Sequence, residues 1–81
     1  MYYLYIKTHN ITGLRYLGQT QKNPFEYIGS GKRWKRHVAK HGNDISTKVL
    51  LETNSFDELK EKGIYYSKKF NVVNDNTWAN L

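Results

Sequence analysis

"YYLYIKTHNITGLRYLGQT", residues 2–20, is the stretch whose reading decides the fold. Its first part, 2–8, is aromatic and β-branched, with Leu4 and Ile6 alternating against Tyr3, Tyr5 and Lys7. A period of two sends successive side chains to opposite faces, which is the pattern of a strand. Asn-Ile-Thr-Gly at 10–13 has turn chemistry, and "LRYLGQT" at 14–20 reads as a second strand. The stretch is therefore a β-hairpin. A two- or four-residue connection sets odd positions of the first strand against even positions of the second. That register puts Tyr5 and Tyr16 on one face.

Outward from the hairpin, "QKNPFEYIGSG" (21–31) holds the only proline together with Gly29 and Gly31, and reads as a loop. Ser30 is placed to cap a helix through about His41, which Gly42 stops. "ISTKVLLE" (45–52) alternates again and makes a third strand. "SFDELKEKGIYYSKKF" (55–70) opens with Ser55 and Glu58 at capping-box spacing, and Leu59, Tyr66 and Phe70 share its inward face. "NVVNDNTWANL" closes the chain, with Trp78 and Leu81 expected to dock on the body. The order ββαβα gives one domain of the α+β class, built on a small, three-stranded, mainly antiparallel sheet flanked by helices.

Lys and Arg number 13 against 7 acids, for a net charge of +6. This balance favours a polyanionic partner, double-stranded DNA above all. The chain has no cysteine, so no disulfide framework or thiolate metal site is available. Its mean hydropathy of −0.79 and the lack of any long apolar run argue against a membrane partner. "MYYLYIKTHN" has no basic segment ahead of an apolar one, so an intracellular domain is expected.

"EYIGSGKRWKRHVAKHG" (26–42) concentrates the cations. A phosphate-binding P-loop is ruled out by spacing: Glu26 stands where its first glycine is needed, and Arg33 follows Gly31-Lys32 in place of a hydroxyl residue. A helix fits better. Arg33, Arg36, His37 and Lys40 fall on one continuous face, with Trp34 and Val38 beside it as anchors to the sheet. The face reads as a phosphate-binding stripe, or more plainly as a solvated basic surface.

"YLY" (3–5) and "YLG" (16–18) stand ten residues apart and precede a glycine-led helix carrying "KRWKRH". In this the chain resembles the GIY-YIG nuclease superfamily, especially the phage-type homing endonucleases, from Tyr3 to about Asn71. The resemblance implies a phosphodiester hydrolase that uses one Mg2+ (or Mn2+) ion. It implies that Tyr5 or Tyr16, more often the first, activates the attacking water. It makes Gly18 the glycine of close approach, Arg33 the clamp on the scissile phosphate, and His37 a proton-transfer or phosphate-binding group. Lys7 is expected near the phenols, and Lys7, Gly18, Lys32, Arg36 and Lys40 along the DNA. A phage origin would place the protein in the cytoplasm of a bacterial host, with a specificity domain beyond Leu81.

Departures from the family pattern bear on the metal. Tyr3 and Leu4 replace the initial glycine and isoleucine. The family's glutamate, two residues before an aromatic pair, corresponds to Gly63 here. Glu61 is the nearest candidate metal ligand, although it lies about 200° from Gly63 around a regular helix. Gly63 thus suggests a local distortion or the close approach of another chain; a carboxylate beyond Leu81 is the other source. The alternatives are a catalytically inactive or truncated nucleic-acid-binding module of the same fold, and a basic structural domain.

Overall fold

The structure, a computed structural model, describes residues 1–80. Strands β1 (Tyr2–His9) and β2 (Arg15–Thr20) are followed by helix α1 (Lys32–His41), strand β3 (Ile45–Thr53) and helix α2 (Phe56–Lys69). The sheet is three-stranded and antiparallel with β1 in the middle, in the order β2-β1-β3. The expected ββαβα order and α+β class are both present.

The hairpin closes with a four-residue connection, one of the two lengths that give the expected register. His9 N–H donates to the Leu14 carbonyl at 2.8 Å and Gly13 N–H to the His9 carbonyl at 2.8 Å, leaving Asn10 to Gly13 as the loop. Gly13 has φ +78°, a left-handed conformation that costs glycine little. The register pairs Tyr5 with Gly18 and Lys7 with Tyr16, so both tyrosines point to the same face. Against β3 the register shifts between Leu4 and Tyr5. Such an irregularity lets both Leu50 and Leu51 pack toward α2.

The helices end largely as their sequences require. Ser55 Oγ accepts the Glu58 N–H at 3.2 Å. Gly42, at φ +94°, returns its N–H to the Val38 carbonyl. The N-terminus of α1 departs from expectation. Gly31 is its cap residue, with no side-chain cap bond, because Ser30 turns its hydroxyl to Tyr16 instead. Gly63 sits within an unbroken α2, and a Cβ built on it meets nothing within 4 Å. The local distortion expected there is absent.

One side of the sheet packs Tyr5, Leu14 and Tyr16 under Trp34 and Val38 of α1. The other packs Leu4 and Leu17 against Leu59, Val72 and Trp78, with Tyr66 and Phe70 alongside. Phe70 stacks on Trp78 at 5.3 Å. After α2 the chain returns to the free edge of β2. Arg15 N–H donates to the Thr77 carbonyl and the Arg15 carbonyl accepts Ala79 N–H. The side chain of Asn80 then takes both backbone groups of Leu17, at 3.0 and 2.6 Å. Trp78 is docked as expected; Leu81 lies outside the described residues.

Candidate functional site

Tyr16 is held on every side. Its ring stacks on the indole of Trp34, 5.8 Å away and 14° from parallel. A Cβ at Gly31 would lie 2.5 Å from Tyr16 Cε1, and one at Gly18 2.7 Å from Cε2. Gly29, at φ +116°, leaves room for both Tyr16 and Trp34. Glycine is therefore a steric requirement at these places, and "YIGSG" is the bearing in which the Tyr16 ring sits. The Tyr16 hydroxyl lies 3.3 Å from Ser30 Oγ.

Tyr5 is different. Its ring centroid is 6.4 Å from that of Tyr16, so the pair is assembled as expected. Yet Tyr5 is fully buried and its hydroxyl has no hydrogen-bond partner. Burial first, then the neighbouring Tyr16 and Tyr27, push its pKa well above the ordinary phenol range. A phenol in this setting resists ionisation and makes a poor base.

Tyr16 opens on a groove of about 710 Å³ that runs from the edge of β2 to α2. Gly18 and Ser30 stand beside Tyr16; Lys60, Gly63 and Lys68 line the α2 side, and Asn80 also contributes. Leu4, Leu17 and Val72 form an apolar floor. The groove thus offers hydroxyls, the two carboxamides of Gln19 and Asn80, and two ammonium groups. Among the described residues its lining has no carboxylate.

The other expected site residues divide into two groups. Lys32, Arg36 and Lys40 are exposed along α1, available to a polyanion. Arg33 and His37 are half-buried, so the basic face is rotated from the one expected. The reason is local: Trp34 and Val38 turn into the core and draw their preceding neighbours partly inward. Arg33 Nη1 donates to the Trp78 carbonyl at 3.2 Å, and Arg33 is not part of the groove lining. His37 Nε2 lies 2.7 Å from Thr12 Oγ1. Its ring is 4.4 Å from that of His41 and 5.1 Å from that of His9. Burial, then His41, His9, Arg33 and Lys40, lower its pKa.

Lys7 does not lie on the exposed surface. It is buried, donating to the Pro24 carbonyl at 2.5 Å and to Thr47 Oγ1 at 2.8 Å. Its ammonium lies 5.5 Å from the centroid of the Tyr5 ring, and burial lowers its pKa. Glu61 is exposed on α2 and does not line the groove, whereas Gly63 does. No group of three or more His, Asp or Glu side chains is arranged to hold a metal among the described residues. Magnesium is bound through carboxylate oxygens. The described groove, with two lysines and no acid, does not fit that ion.

Asn80 and Ser30 are functional candidates that the sequence reading missed as such. "GSG" ahead of a helix carries the only signal for Ser30. Nothing local marks Asn80, whose partner is 63 residues away. No protein-family model, curated protein or solved structure matches the chain. Among the described residues no helix is long and apolar enough to cross a membrane.

Proposed function

We propose that this chain is a DNA-binding domain of the GIY-YIG nuclease type whose groove receives a phosphodiester against Tyr16. One observation carries the reading. Tyr16, Gly18 and Gly63, three positions that the resemblance assigns to the reaction site, line one groove although they lie far apart in sequence. The basic row Lys32, Arg36 and Lys40 supports it, since exposed cations along a helix hold a DNA backbone and release its counterions.

Within the groove, Tyr16 and Ser30 donate their hydroxyl protons to phosphate oxygens, while Lys60 and Lys68 offset the phosphate charge. Tyr5 stays a neutral phenol and sets the position of Tyr16 by packing. Arg33 fastens the C-terminal segment that carries Asn80. Hydrolysis also needs a carboxylate to hold a metal or deprotonate water, and it must come from another segment or a second molecule. A pure nucleic-acid-binding module is the second reading, and the bare position at Gly63 favours it.

Plasmid nicking in Mg2+ separates the two, using the parent chain, Tyr16→Phe and Gly63→Glu. The last substitution meets no steric obstacle at its Cβ. Nicking by the parent that Tyr16→Phe loses supports a nuclease completed from elsewhere. Nicking gained only in Gly63→Glu identifies a nuclease scaffold lacking one group. DNA binding without nicking in any variant selects the binding module. A chain that neither binds nor nicks DNA refutes both.

A further inference from the structure

Residues 23–28 form a tight turn that is fixed from three directions and still presents a phenylalanine to water. Asn23 Oδ1 accepts the Phe25 N–H at 3.0 Å, and the Asn23 carbonyl accepts the N–H groups of Glu26 and Tyr27. From below, Lys7 reaches out of β1 to hold the Pro24 carbonyl. From α1, the Trp34 indole donates to the Ile28 carbonyl at 2.7 Å. Phe25 is nevertheless 67% exposed and Ile28 48% exposed. Single exposed apolar side chains are common on proteins. Here, however, the mounting includes a buried lysine, a costly group to take from water.

Phe25 and Ile28 line one small cleft of about 170 Å³, together with Lys7, Asn43 and Thr47. The turn lies alongside α1: Ile28 is bonded to its first turn through Trp34, and Asn43, just past its last turn, lines the same cleft. We infer that Phe25, backed by Ile28, is a wedge that inserts between stacked base pairs of the DNA held by Lys32, Arg36 and Lys40. Apolar side chains used in this way unstack one base step and bend the duplex. A mounting already fixed in the free protein lowers the ordering cost of insertion.

Charge complementarity selects DNA as the occupant. The chain carries +6, and Lys22 stands over the Tyr27 ring at 5.6 Å. Glu26 is the one acid at the tip. It repels phosphate and can accept a hydrogen bond from a cytosine amino group, so it suits a base-facing position. The inference rests on the nucleic-acid reading above and assigns the turn a contact that this reading leaves undefined.

The test uses the full chain and a short duplex carrying a fluorescent adenine analogue, quenched by stacking, at a flexible TA step. Dyes on the duplex ends report bending. At saturation the parent chain should raise the analogue's fluorescence and shorten the end-to-end distance. Phe25→Ser should lose both signals, with affinity down about 10-fold and an unchanged melting temperature. Phe25→Leu should keep both, because leucine is also a wedge. Neutralising Lys32, Arg36 and Lys40 should weaken binding yet leave the fluorescence rise intact at saturation. Binding by the parent with the analogue still quenched overturns the wedge and leaves the nucleic-acid reading standing. An equal rise with Phe25→Ser also overturns it, and a failure to bind DNA overturns both.

Discussion

The two sides of the sheet use the same strands to opposite ends. On the α2 side, Leu4, Leu17, Leu59, Val72 and Trp78 make a mainly apolar layer, whose polar exception is the buried, unpartnered indole N–H of Trp78. On the α1 side, alternate residues of β1 bury the Tyr5 hydroxyl without a partner, the Lys7 ammonium and the His9 imidazole. Each of these groups costs free energy to remove from water. His9 recovers it by accepting the Thr12 N–H at Nδ1 and donating from Nε2 to the Gly42 carbonyl. Tyr5 does not recover it. One layer thus supplies stability and the other positions polar groups at some expense to it, an asymmetry set by the two-residue period of a single strand.

That division can be broken most sharply at Trp78. Trp78→Ala should remove about 3–5 kcal/mol of stability in urea denaturation, since the buried indole and its stack on Phe70 are both lost. A loss below 1 kcal/mol would show that the α2 layer is not the stabilising one. Gly18→Ala should cost about 1–3 kcal/mol by overpacking, because the new methyl falls 2.5 Å from the Tyr5 hydroxyl. DNA affinity should fall with it as Tyr16 shifts, and a neutral result would mean that the rings are free to move.

Tyr5→Phe should do the reverse, raising stability by about 1 kcal/mol through removal of an unpartnered buried hydroxyl. A destabilised phenylalanine variant would reveal a role for that oxygen. The smallest expected effect is in pH. His37 has its folded-state pKa lowered by burial and by neighbouring cations. Its neutral form is therefore favoured by the fold, and the unfolded chain takes up protons first as pH falls. Stability should be fully present above the ordinary histidine pKa of about 6.5 and decline below it. In His37→Gln the melting temperature should depend less steeply on pH between 7.5 and 5; an unchanged slope would assign the effect elsewhere.

Where the controlling contacts are local, the sequence is a sound guide. Alternation in 2–8 and 14–20, with four turn residues between, is enough for the hairpin register and for the meeting of Tyr5 with Tyr16. Ser55 and Glu58 mark a helix start because their bond spans one turn. Ser30 has the same local credentials but bonds Tyr16, a partner that only the folded hairpin brings near. Lys7 reads as one more cation until Pro24 and Thr47 close around it. The basic face of α1 is legible as a stripe, but its rotation depends on how deeply Trp34 and Val38 enter the core. Glu61 and Gly63 show the limit of motif matching. The matched position faces the groove, and the nearest acid does not.

The Asn80 amide has a consequence for how this molecule behaves among its own kind. The outward N–H and C=O groups of an edge strand are a template on which another chain can grow. Beside β2, residues 77–79 begin such growth in the manner of an added strand, and then a side chain takes over. A carboxamide can imitate one peptide unit but has no following unit to offer. Asn80 therefore works as a stopper: it fills the next rung of the ladder and presents nothing for a further rung to build on.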